Sequence, residues 1–307
     1  MAGVILPYVE QLAGPSGSRA TLLQVALPGD HDLDGKSYSR FAGGTHISAT
    51  KYLKGSDGLI IQAKCSDAPS RTRKAAVAEL YRVAKKGLRG AMIRGIPPED
   101  SDYGSTGYDR FWAAAEEIGI PVSLHVATRQ NKTMTGNFMV ENTLLPYWIQ
   151  RSMASIIFSG VLDRFPGLKL VSAENDIGWV GNFLERMDYS VERHLVWAGG
   201  SQISSGFRPS ELFHRNIWLT FMRDHVGIQT RGTIGVDNLM WSSDYPHVDA
   251  TWPESGRVIE EQFEGVALSD KQAIVGGNVA FVTRVICGSR MCHWGEAKPK
   301  PMRLTAD

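Results

Sequence analysis

Three polar residues stand where apolar runs end. Asp244 follows Asn238-Leu-Met-Trp-Ser-Ser243, Glu174 follows Leu168-Lys-Leu-Val-Ser-Ala173, and His125 lies inside Val122-Ser-Leu-His-Val126. Each has an ordinary reading. Asp244 and Glu174 could cap a following turn or helix. A lone histidine among apolar neighbours is more often a hydrogen-bonded core residue than a ligand, by roughly two to one. Three such residues on three expected strands are harder to dismiss, and imidazole plus carboxylates suits a divalent metal such as zinc or manganese. His125, Asp244 and Glu174 are therefore the candidate metal ligands. Asp244, Glu174 and His247 are the candidates for moving a proton. Tyr245, Asp249 and Trp252 crowd the same turn, which opens at Pro246. Arg94 and Arg223 could hold a substrate carboxylate, since a guanidinium matches it with two parallel bonds. Trp179, Trp241 and Trp252 could wall an aromatic substrate, with plain core packing an equal alternative for each.

These residues need strands to carry them. From Gly58 on, short apolar runs alternate with stretches of helical period. The strands are expected at Gly58–Lys64, Gly90–Arg94, Ile120–Val126, Leu168–Ala173, Asn216–Phe221 and Asn238–Ser242. The helices are expected at Arg71–Lys86, Tyr108–Ile118, Leu144–Leu162, Gly178–Trp197, Val226–Ile234, Ser255–Phe263 and Ser269–Val285. Such alternation implies a parallel sheet with helical crossovers. The chain has no G-x-G-x-x-G and no P-loop, so a TIM-type (β/α)8 barrel fits better than a doubly wound sheet. A barrel gathers the C-terminal ends of its strands at one mouth, where that fold does its chemistry. Arg94, His125, Glu174, Asp224 and Asp244 all fall at or just past such ends.

The chain divides into an irregular region with early barrel strands at 1–57, a β/α barrel at 58–286 and a tail at 287–307. Val4–Val9 and Thr21–Leu27 are possible short strands in the first region. The 307 residues are 43% hydrophobic and 21% charged, with a formal net charge of +1. That balance argues against nucleic acid and anionic membranes as partners. No apolar run approaches the ~20 residues that span a bilayer. The start, Met1-Ala-Gly-Val-Ile-Leu-Pro7, lacks the basic head and longer apolar core of a signal peptide. Three scattered cysteines, Cys65, Cys287 and Cys292, suggest a reducing compartment, hence the cytoplasm.

The runs Ala75–Gly90, Gly119-Ile-Pro-Val-Ser-Leu-His125, Glu174-Asn-Asp-Ile-Gly-Trp-Val180 and Met240-Trp-Ser-Ser-Asp-Tyr-Pro-His247 together resemble the amidohydrolase-2 branch of the metal-dependent hydrolases. That branch includes aminocarboxymuconate-semialdehyde decarboxylase and related aromatic-acid decarboxylases. The resemblance spans about residues 58 to 285, and Ser-Asp-Tyr-Pro-His after a tryptophan is its strongest mark. It implies a TIM barrel, one catalytic divalent metal, and cleavage of C–C or C–N bonds in small acids. His125 would be the strand-five ligand and Asp244 the strand-eight ligand. Glu174 would take the strand-six position, where many members carry a histidine.

One departure stands out. The family carries His-x-His on its first strand, and here no two of the eight histidines are separated by one residue. The expectation is a chain that starts past that strand, with a barrel incomplete or irregular there. Two functions then compete. The first is a metal-dependent hydrolase or decarboxylase of a small carboxylic or aromatic acid, with one weakly held ion, zinc before manganese. The second is a metal-free, non-catalytic barrel serving as a binding or subunit-interface protein. Leu144–Leu162, apolar nearly all round, would be either deeply buried or a homo-oligomer interface.

Overall fold

The structure is a computed structural model that describes residues 61–62, 71–97, 102–125, 137–198, 200–245 and 249–284. The expected strands at Val4–Val9 and Thr21–Leu27, the region 1–57, the tail 287–307 and His247 lie outside the described residues.

Among the described residues, six parallel strands form one sheet in the order in which they occur. They are β1 (Ile61–Gln62), β2 (Ala91–Arg94), β3 (Val122–His125), β4 (Leu170–Ala173), β5 (Ile217–Phe221) and β6 (Leu239–Trp241). Each of the six expected strands has a counterpart among the described residues. Every residue of β3, β4, β5 and β6 is buried. Strands covered on both faces read as continuous apolar runs, which is why they were legible as such.

Helices join and cover the strands. They are α1 (Arg71–Lys85), α2 (Asp109–Ile118), α3 (Phe138–Thr143), α4 (Leu145–Phe158), α5 (Val161–Arg164), α6 (Val180–Ala198), α7 (Pro209–Asn216), α8 (His225–Gln229), α9 (Arg231–Ile234), α10 (Ser255–Gln262), α11 (Leu268–Gln272) and α12 (Asn278–Thr283). A π-helical stretch, Ala273–Gly277, links α11 to α12. Three departures from the expected helices have local causes. The long helix breaks at Gly160, whose φ of 70° is left-handed and suits a residue without Cβ. The helix expected at 226–234 is interrupted at Thr230, between α8 and α9. Helix α7 was not foreseen, although Pro209 at its first turn and the Arg208 N–H donating to Glu211 at 2.7 Å are start signals.

Alternation along the strands sorts side chains onto two faces. Leu170, Ile217, Leu219, Leu239 and Trp241 pack with helical residues such as Ile149, Phe213 and Ile259 in the main core. Val171, Trp218 and Met240 face the other way and meet Val279 and Val282 of the last helix. The register pairs Ser123 with Val171 and His125 with Ala173, so His125 lies on this second face, away from the helical layer. The α4 helix buries Ile149, Met153, Ile156 and Ile157 in the main core and leaves Tyr147 exposed. Its apolar character thus serves mainly to cover the sheet.

Candidate active site

The register aligns the strand ends. Arg94 stands opposite His125, His125 opposite Ala173, and Phe221 opposite Trp241. Glu174 is therefore one residue past the row, and Asp244 three residues past β6. The side chains meet there. His125 Nε2 lies 3.0 Å from Glu174 Oε1, and the Asp244 carboxyl hydrogen-bonds the Glu174 carboxyl. His125 is 0% exposed and Asp244 2%. The structure thus brings the three residues from three separate strand ends into one cluster, with His125 and Asp244 buried and Glu174 nearly so. His125 is not a solitary core histidine, and Asp244 does more than cap a turn.

Both acids hold unusual backbones. Glu174 has φ 58° and Asp244 φ 53°, in the left-handed region, and Asp176 follows at 51°. Non-glycine residues there cost about 1–3 kcal/mol each and persist only where the surroundings over-determine them. Here they turn each acid back across the strand ends. The Glu174–Gly178 turn is held along its whole length. Glu174 N–H donates to Thr220 Oγ1 at 3.1 Å, and the Trp179 indole N–H donates to the carbonyls of Asn175 and Asp176 at 2.7 and 3.1 Å. Asn175 anchors its base by donating to Ala173 O at 2.7 Å.

Electrostatics follow from this packing. Burial, and then the hydrogen bond and charge of Glu174, push the Asp244 carboxyl up to about 9, with Asp249 adding repulsion. Two buried carboxyls in contact cannot both ionise cheaply, so the pair keeps a proton near neutral pH. Asp176 is pushed up to about 6 by desolvation first, then by Asp224 and Asp249. Its side chain is nonetheless open to water on one side, which screens part of that repulsion.

The remaining candidates fall at different distances from this cluster. Arg94 ends β2 beside His125. The chain there is pinned by the Tyr103 hydroxyl donating to Arg94 O at 2.8 Å and by the Ser152 hydroxyl donating to Gly95 O at 2.7 Å. Arg223, two residues past β5, is exposed. Trp241 is core, with its indole N–H donating to Met222 O at 3.0 Å. Trp179 packs edge-on against Phe183 and uses its N–H on the turn. Trp252 is 42% exposed, with its ring 5.3 Å from that of Tyr245, and of the three indoles it has the most surface free to meet a ligand. Sequence reasoning missed Thr220 and the bonds made by Asp224, which fix the acid-bearing turn; a polar residue near the end of a buried strand is the one signal that pointed to Thr220.

The donor set has the chemistry of a divalent-metal site, one imidazole and two carboxylates that converge, with His125 and Asp244 buried and Glu174 partly so. Among the described residues, however, no three His, Cys, Asp or Glu side chains are arranged as a ready cage. Glu174 touches its two neighbours instead of surrounding a gap with them. The residues fit a metal in donor type and are few in number.

Comparison with known proteins places the chain. A family model described as Amidohydrolase matches residues 57–280. The chain is 27% identical over 229 residues to the decarboxylase OrsB of Emericella nidulans, covering 66% of each chain. It is 24% identical over 233 residues to the gamma-resorcylate decarboxylase of Rhodococcus jostii, covering 66% of this chain and 69% of that one. It therefore spans about two thirds of the length of these relatives. Its fold resembles that of a 5-carboxyvanillate decarboxylase variant from Novosphingobium aromaticivorans, solved with bound manganese and 3-methoxy-4-hydroxy-5-nitrobenzoic acid. That match has a TM-score of 0.60 at 16% identity, over 74% of this chain and 65% of that one. The parallel β/α architecture is of the TIM-barrel type, and with the family model matching well over half of its length, the chain belongs to the amidohydrolase-2 family.

Proposed function

We propose that the chain is a metal-dependent decarboxylase of small hydroxylated aromatic acids. The observation that carries this is the buried His125–Glu174–Asp244 cluster at the strand ends. The relatives named as aromatic-acid decarboxylases, and the manganese in one structural neighbour, support it. Manganese thereby gains on zinc as the metal to try first. His125 and Asp244 would hold the ion, with Glu174 beside them. When bound, the ion would polarise the substrate carboxylate and phenolic oxygens.

The chain's own residues do the rest. Arg94 and Arg223 are the candidates to orient a carboxylate, and Trp252 offers an apolar face to a ring. The Glu174–Asp244 pair shares a proton before an ion binds; with Asp244 given to the ion, Glu174 is the group that can take up a proton and deliver it to the ring carbon that bears the carboxylate. The bond between that carbon and the carboxylate then breaks. Its electron pair restores the aromatic ring, carbon dioxide leaves, and Glu174 is reprotonated from water. His247 is a further proton carrier by its place in the sequence.

The test incubates the full chain with manganese and either 2,6-dihydroxybenzoate or 5-carboxyvanillate, and follows carbon dioxide release. Low but manganese-dependent turnover is expected, falling at least a hundredfold in His125→Ala. A chain that binds no manganese and turns over neither acid would instead be the metal-free, non-catalytic barrel.

A further inference from the structure

The Glu174–Gly178 turn carries strain at two non-glycine residues, yet Thr220 and Trp179 hold only its first three. Its far end is held by Asp224, which lies three residues past β5 and begins α8. The Asp224 Oδ2 accepts from Ile177 N at 2.7 Å and from Gly178 N at 2.6 Å, while Oδ1 accepts from Gly227 N at 2.7 Å. The carboxylate is itself fixed in place. Asp224 N–H donates to Gln262 Oε1 at 2.5 Å, and Gln262 donates in turn to Met222 O at 3.1 Å. The fit is close on both sides. A Cβ on Gly178 would stand 2.9 Å from Asp224 Oδ1, and one on Gly227 would collide with Ile177.

We infer that Asp224 is a positioning residue for this site. Its carboxylate clamps the exit of β4 to the exit of β5, and so holds the left-handed turn that sets Glu174 against His125 and Asp244. Asp224 lies outside the proposed ligand set, and the bonds described for it are all to backbone or to Gln262. Its relevance to catalysis rests on the function proposed above, while the clamp itself does not.

The two oxygens make the test specific. In Asp224→Asn, the single carboxamide oxygen can take the Oδ2 place and keep both bonds to Ile177 and Gly178. The amide nitrogen then faces Gly227 N, donor against donor. In Asp224→Ala all three bonds go. The experiment measures amide exchange by NMR and manganese affinity by electron paramagnetic resonance on the full chain, beside each variant's thermal midpoint. In Asp224→Ala, exchange at Ile177 and Gly178 should rise at least tenfold with β4 and β5 unchanged, and manganese affinity should fall roughly tenfold to a hundredfold, as for partners that orient metal ligands. In Asp224→Asn, exchange should rise at Gly227 but not at Ile177 or Gly178, and most of the metal affinity should remain. Gly178→Ala, which pushes the carboxylate away, should resemble Asp224→Ala and serves if that variant does not fold. Unchanged local exchange in Asp224→Ala, equal damage in Asn and Ala, or exchange raised uniformly with a lowered midpoint would each overturn the inference. If the parent chain binds no manganese, the proposed function fails, and the exchange pattern alone decides the clamp.

Discussion

At the residue scale, the proposed role of Asp244 as a ligand would couple the site's proton to metal binding. Its carboxyl sits near 9 because it is buried against Glu174. A metal must displace that proton to bind, so affinity should rise with pH. The sign is fixed by the upward shift. Below about 9 the protonated form dominates, and each unit of pH lost should weaken manganese binding by about tenfold; above it the dependence should flatten. Calorimetry in two buffers of different ionisation enthalpy should show close to one proton released per ion near pH 7. A pH-independent affinity between 6 and 8 would remove Asp244 from the ligand set. Glu174→Gln tests the same pairing. It removes the negative charge that helps keep Asp244 protonated, so the pH dependence should shift to lower pH. The identity of the three cluster residues was legible in the sequence because three polar side chains recur at the ends of three apolar runs, although each alone has a bland explanation. Their backbone strain was not. A left-handed Glu174 or Asp244 depends on partners such as Thr220 and Asp224, which are distant in sequence, and no local preference announces them.

At the element scale, the strands were legible and the helix breaks were not. Apolar runs such as Ile217-Trp-Leu-Thr-Phe221 are continuous because the sheet is covered on both faces. The stretch 144–162 reads as one helix because Phe158, Val161 and Leu162 continue the apolar character through Ser159-Gly160. The break depends on a tertiary contact: at φ 70°, a Cβ on Gly160 would stand 2.6 Å from the carbonyl oxygen of Gln202. Gly160→Ala should therefore lose about 2 kcal/mol or more, since it combines an unfavourable φ with a backbone clash. For a chain of this size that lowers the thermal midpoint by roughly 3 °C or more. Gly160 meets the Gln202 segment and not the acid cluster, so manganese affinity per folded molecule should be unchanged. A variant as stable as the parent would mean that this segment relaxes freely and that the break has another cause.

At the scale of the whole molecule, the parallel architecture explains how residues 119 positions apart in sequence, His125 and Asp244, come to share one site. Each strand ends at the same mouth, so the chemistry is assembled from single residues contributed strand by strand. The same logic sets how strongly this chain can hold a metal. A catalytic ion normally takes three protein ligands and leaves one position for water or substrate. In the proposed site His125 and Asp244 would supply two, and Glu174 would serve as a third only by giving up part of its contact with them. The His-x-His pair that the family places on its first strand has no counterpart in this sequence. The chain should therefore hold manganese at well below one ion per molecule after dialysis. Fusing a strand that bears His-x-His ahead of residue 1 should raise manganese content and turnover together, because both would draw on the same completed ligand set. Elemental analysis of the two proteins, prepared in parallel, decides the matter. Equal manganese in both would mean that the cluster at the strand ends is already sufficient, with Glu174 as a full ligand instead of a proton carrier. In that case Glu174→Gln should abolish binding, not merely shift its pH dependence.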